Sequence, residues 1–204
     1  MPSQPTLTID GRPRPILHSE LSLRVETETW DEASSQWVYG RNPSLTLALE
    51  VVVDENSGQD GALAPSAYIR IPSDSPASLK GTVFSEPPHK IEAWWGNDAP
   101  KLGENRLELR SELATGPVDL VWSAVSEKGT TLTLEGSVEF VGLSLKVKRV
   151  SEAESYLRKV WSNLDPARLE LVSESELEFG DDDEEDEIEE DRQHWMELHY
   201  DLKG

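Results

Sequence analysis

Apolar residues recur at every second position through much of this chain. Leu45, Leu47, Leu49, Val51 and Val53 fall on one side of an extended backbone, and Val52 adds an apolar residue to the other. Leu21, Leu23 and Val25 alternate with Ser22, Arg24 and Glu26, as Leu143, Leu145 and Val147 do with Ser144, Lys146 and Lys148. Two further runs, Val118 to Ala124 and Leu132 to Phe140, repeat the pattern. Successive strand residues point to opposite faces, so this spacing describes strands with one face on a core and one in water. Antiparallel sheets have that character.

Turn residues divide the runs at short intervals: Gly40-Arg41-Asn42-Pro43, Glu55-Asn56-Ser57-Gly58, Gly116-Pro117 and Lys128-Gly129. Trp30 and Trp37 flank a polar stretch and are expected to face each other across a hairpin. Many short strands at this spacing predict a mainly β fold, an antiparallel sandwich or open barrel. With 204 residues, one β-rich domain over 1–204 accommodates them.

The period changes once. Ala153, Tyr156, Leu157, Val160, Trp161 and Leu164 form a helical stripe, predicting one substantial helix near 152–164. Ser151 and Glu154 have the spacing of a capping box, and Asp165-Pro166 provides the stop. Beyond it, Arg168 to Phe179 and Trp195 to Leu202 read as two closing strands.

Between these strands lies the most charged part of the chain. From Glu174 to Asp191, 13 of 18 residues are Asp or Glu, and Asp181, Asp182, Asp183, Glu184, Glu185, Asp186 and Glu187 are consecutive. A flexible acidic loop is expected over 180–191, held at both ends and kept extended by like-charge repulsion. Lengthening such a loop costs little, about 0.6 kcal/mol per doubling. The whole chain carries a net charge of −21, and the remainder is acidic without this segment. Direct contact with nucleic-acid phosphates therefore finds no support, since that requires a concentrated cationic face. A cationic protein is the partner that the field favours.

Several chemistries are absent from the pattern. Without cysteine there is no thiol nucleophile, disulfide framework or Cys-rich zinc site. His194 and His199, five apart on one strand, point to opposite faces, whereas zinc requires convergent ligands. Neither the acidic run nor Asp54 to Gly61 has the alternating oxygens and glycine of a helix–loop–helix calcium site. There is no phosphate loop, no dinucleotide fingerprint and no nucleophile elbow, as Gly142-Leu143-Ser144-Leu145-Lys146 lacks the second glycine. No metal, cofactor or catalytic group is assigned. No apolar run approaches the roughly 18 residues of a membrane span, and Met1 to Pro5 lacks the features of a signal peptide, so a cytoplasmic location is expected.

Tryptophans supply the remaining candidates. Trp94 and Trp95 are adjacent, so one indole should pack inward while the other faces outward as an interface anchor. Trp195 follows the acidic segment directly. Together these features describe a non-catalytic binding protein that docks a basic partner, such as a toxin or nuclease, through an acidic surface. The overall character is similar to that of the small acidic β-rich proteins that bacteria make as immunity or inhibitor partners of toxins; no diagnostic motif accompanies the likeness. A carbohydrate- or ligand-binding β-sandwich and a structural or assembly module are the alternatives.

Overall fold

The computed structural model describes residues 4–31, 33–53, 64–95, 101–177 and 195–204. The first six strands are β1 (Thr6–Ile9), β2 (Arg12–Arg14), β3 (Ile16–Asp31), β4 (Gln36–Val53), β5 (Ser66–Ile71) and β6 (Val83–Ser85). Next come β7 (Ile91–Trp94), β8 (Leu102–Leu109), β9 (Gly116–Ser126), β10 (Thr131–Val147), β11 (Leu169–Leu177) and β12 (Trp195–Leu202). One helix, α1 (Ala153–Val160), lies between β10 and β11.

Among the described residues, all twelve strands join one sheet, with a central path β8-β9-β10-β3-β4-β5-β7. A bridge between Trp94 and Lys101 returns β7 to the start of β8, so the sheet curls into a nearly closed barrel. The other end of β8 pairs with β6. Closure rather than a two-layer sandwich suits these strands, because a twisted sheet with one apolar face can bury that face on itself. Leu21, Leu23, Leu45, Leu47, Leu49, Ile69, Leu120, Trp122, Leu134 and Phe140 are almost completely buried inside it.

β10 organises the path. Its first part pairs with β9 on one edge, Leu134 opposite Trp122, and with β1 on the other, Leu134 opposite Leu7. Its last part runs parallel to β3, with Leu143 beside Leu23, and antiparallel to β12, with Leu145 opposite Leu198. β12 therefore takes over the edge that β9 leaves. The exchange falls at Val141-Gly142, where the β3 register shifts. Gly142 has φ +107°, and a Cβ there would collide with the Tyr200 carbonyl oxygen, so only glycine fits the crossing.

The runs 132–140 and 143–147, expected as two strands, are therefore one bulged strand. The turn expected at Gly40 to Pro43 is absent for a related reason. β4 continues through it, and the register jumps from Glu28 opposite Tyr39 to Glu26 opposite Ser44, leaving these residues as an outward bulge. The expected hairpin near Trp30 and Trp37 is present, with those two residues opposite each other in register. The Glu55 to Gly58 turn lies outside the described residues.

Helix α1 closes over β3 and β4 with Ala153, Tyr156, Leu157 and Val160 buried. It is shorter than its stripe. After Val160 the backbone turns, and the Ser162 N–H and hydroxyl donate to the Ser73 carbonyl at 2.7 and 2.9 Å. Trp161 and Leu164 are still buried, but from a turn rather than a helix. The expected capping box does not form: a 3₁₀ turn over Val150–Glu152 leads in, no side chain caps it, and Glu154 pairs instead with Arg158 at 2.5 Å.

Arg168 fastens the end of the chain. Its guanidinium donates to the carbonyls of Lys203, Ala77 and Leu113 at 2.7, 2.8 and 3.0 Å and pairs with Glu112 at 3.2 Å. The planar fork suits this convergence, and an ammonium cannot reproduce it. Arg168→Lys is expected to cost about 2–3 kcal/mol, since it leaves partly buried carbonyls unsatisfied. Urea unfolding at neutral pH measures this, with Arg106→Lys on the exposed face as the control, expected to be near neutral.

Candidate functional site

The alternation that sends Leu21, Leu23 and Val25 inward sends Glu20, Ser22, Arg24 and Glu26 outward. On β10 the outward residues are Ser144 and Lys146; on β12 they are Glu197 and His199. Register sets Ser144 between Arg24 and His199, and Lys146 opposite Glu197. The result is a groove of 680 Å³ on the outer face of β3, β10 and β12.

Its charge is unbalanced. Glu20, Glu26, Glu28 and Glu197 line it, against the permanent cations Arg24 and Lys146. Arg24 is engaged by Glu50 at 2.6 Å. His199 lies 3.7 Å from Glu197, and His18 lies 3.2 Å from Glu20. Groove and rim thus present a negative field with little local compensation.

One end of the groove is fixed by an aromatic cluster. Trp195 is 5% exposed, and its ring meets Tyr39 edge-on at 5.1 Å. Tyr39 in turn meets Tyr156 of α1 at 5.6 Å. The Lys148 ammonium lies 5.1 Å from the Tyr39 ring and 5.3 Å from the Trp195 ring, within cation–π range. The Tyr39 hydroxyl donates to Glu152 at 2.6 Å and accepts from the Lys148 N–H at 3.1 Å. Gly40, at φ +72°, makes the approach possible, as a Cβ would lie 2.5 Å from the Tyr156 hydroxyl. Trp195 is therefore an anchor for the start of β12, with little of its indole open at the surface.

Trp94 and Trp95 take opposite faces. Trp95 packs partly buried against the core. Trp94 lies on the outer face, edge-on to Tyr68 at 5.6 Å. The Tyr68 hydroxyl donates to Glu50 at 3.1 Å, and Arg24 lies 5.7 Å above its ring. A continuous contact path thus runs from Trp94 across β5, β4 and β3 to the groove. Sequence reasoning missed Arg24, Tyr68, Glu50, Tyr39 and Lys148. Alternation shows that Arg24 faces out, but only the register brings it to Glu50.

β11 pairs with β12 along its length and ends with Leu177 opposite Trp195. β11 and β12, which flank the acidic segment in sequence, are thus adjacent antiparallel strands. Asp181 to Glu187, and His194, lie within 178–194, outside the described residues. Glu174 and Glu176 are exposed toward the Leu177 end of β11, and Glu170 is exposed at its other end, opposite Asp201. Lys203 pairs with Glu170 at 2.8 Å and, by hydrogen bond and charge, lowers its pKa. Among the described residues, no three His, Asp or Glu side chains converge to hold a metal, and no helix is long and apolar enough to cross a membrane. Comparison with protein-family models, curated proteins and solved structures finds no match.

Burial, reinforced by the Glu152 hydrogen bond, raises the Tyr39 pKa above its ordinary value. Burial also raises Tyr68, aided by the Glu50 charge, and Tyr200, aided by Glu174. A raised folded pKa adds stability below the unfolded value near 10 that is lost as pH rises through the folded one. Stability should therefore decline above about pH 10. Tyr39→Phe should cost about 1–2 kcal/mol at neutral pH and make the alkaline decline shallower, both measurable by urea titration across pH.

Proposed function

We propose that the protein is a non-catalytic binding protein, acting in the cytoplasm, that docks and inhibits a cationic protein such as a toxin or nuclease. The observation that carries this reading is the seating of the two strands that flank the acidic segment in sequence. β11 and β12 pair with each other, and β12 also forms a wall of the carboxylate-lined groove. In the sequence Asp181 to Glu187 fall between Leu177 and Trp195, and Trp195 lines the groove together with Glu20, Glu26, Glu28 and Glu197. Tyr39 and Lys148 hold Trp195, the first residue of β12.

Mechanistically, the summed negative field steers a basic surface toward β12 and raises the association rate. Close pairing then follows between partner Lys or Arg groups and the groove carboxylates, with the acidic run reaching into a cleft built for phosphate. Trp94 supplies apolar contact at the far end of the Arg24–Tyr68 path. Rim charges govern the on-rate, and contacts excluded from water govern the off-rate.

Capture from lysate at low salt, followed by binding kinetics of the captured protein, tests the proposal. The association rate constant should fall roughly tenfold or more from low to physiological salt. It should also fall when residues 181–187 become Ser/Gly, and again with Glu20→Gln, Glu26→Gln and Glu197→Gln combined. Rates insensitive to salt and to both variants would overturn it.

The Trp94–Tyr68 pair favours a second reading, a sugar-stacking strip. That reading expects tryptophan fluorescence to shift with saturating oligosaccharide and the shift to vanish in Trp94→Ala. The docking proposal expects no such response.

A further inference from the structure

A second concavity, of 370 Å³, has the opposite electrostatic character. It opens where the β4 bulge, the end of β5, the turn before β7 and the end of α1 come together. Arg70, Lys90, Lys159 and His89 line it together with Ser44 and Ser73, and among the described residues no Asp or Glu does. In a chain with 40 acidic and 19 basic residues, cations normally have carboxylates close by. Here neither Arg70 nor Lys159 has a carboxylate partner among the described residues. Lys90 alone is paired, with Glu92 at 2.7 Å.

Packing makes the arrangement costly without a ligand. The Arg70 N–H donates to the Lys90 carbonyl at 3.2 Å, one step beyond the last paired residues of β5 and β7, so two cations sit side by side on adjacent strands. Like charges so placed repel. Lys159 adds a third positive charge from α1, its ammonium 5.1 Å from the Tyr156 ring. The C-terminal end of α1 opposes an anion with only about half a negative charge, against the two unpaired positive charges of Arg70 and Lys159.

The neutral donors match. His89 Nδ1 accepts from the Ser85 N–H at 3.4 Å, which leaves the hydrogen of the neutral ring on Nε2 as a donor. The Ser73 wall is fixed, because its carbonyl accepts twice from Ser162. Pro43, Pro72 and Pro88 make the rest of the lining stiff and partly apolar.

We propose that this pocket is a binding site for a small phosphate ester, with Arg70 and Lys159 as its principal charge contacts and His89 and the serines as neutral donors. The proline walls receive the organic part of the ester. The protein's negative field does not forbid this: charges beyond about 8 Å are largely screened at physiological ionic strength, whereas cations in contact with the ligand are not. The site is separate from the acidic face and does not rest on the reading of that face.

Amide NMR titration with inorganic phosphate and with phenyl phosphate, at constant ionic strength and neutral pH, tests it. Saturable shifts are expected at Ser44, Arg70, His89 and Lys159, with phenyl phosphate the tighter ligand. Arg70→Gln and Lys159→Gln should each weaken binding roughly tenfold, the loss of one charge-assisted hydrogen bond. Lys128→Gln, at the β9–β10 turn, makes the same change in net charge and should have no effect. The proposal is overturned if sodium chloride produces the same shifts, if Lys128→Gln weakens binding as much as Arg70→Gln, or if phenyl phosphate binds no more tightly than phosphate.

Discussion

Both edges of β10 are used twice, and the rest of the molecule depends on that. Every other part of the sheet reaches its place through this strand: β9 and then β12 along one edge, β1 and then β3 along the other. The sharing works only if the strand bends where partners change. Val141-Gly142 provides the bend, and the backbone of Tyr200 lies against Gly142 where any side chain would stand. The barrel, the seat of the β11–β12 hairpin and the floor of the acidic groove all meet at that crossing.

The charge distribution follows from the same geometry. No charged residue is buried among the described residues, so ionic groups are confined to outward strand positions and connections. Cross-strand neighbours then decide which charges cancel. Arg24 reaches Glu50 and Tyr68, so its charge is largely spent within the sheet, and the groove carboxylates around it remain. At the helix end the balance reverses: Arg70 and Lys90 adjoin, and the one nearby carboxylate that pairs, Glu92, belongs to Lys90. A strongly acidic chain can therefore hold surfaces of both signs, because electrostatics near contact depends on register rather than on the total.

How much of this the chain discloses depends on separation along it. The Leu45 to Val53 face, the Ala153 to Leu164 stripe and the place of the acidic segment between two strands are local patterns, and each is legible. β10 looked like two strands because its bulge shifts the phase of alternation between Phe140 and Leu143. The parallel partnership of β3 and β10 leaves no local trace. β6 and β7 are too short to show a period, and β8 carries a bulge beside Asn105. The helix is present where the stripe predicts it and ends before the stripe does, where the Ser162 N–H and hydroxyl bond to the Ser73 carbonyl. The cationic pocket was the least visible feature, as its four walls come from Pro43, Arg70, His89 and Lys159.

The pairing of β3 with β10 also constrains how the protein is made. Leu23 waits for Leu143, which the ribosome adds about 120 residues later; at typical elongation rates that is roughly 6 to 24 seconds. During the interval β3, β4 and β5 can form a meander, but its apolar face has nothing to close on and the β3 edge has no partner. Such an edge invites pairing with other chains. The nascent protein thus passes through a prolonged open-sheet stage, which ends only when the segment through Val147 has left the exit tunnel.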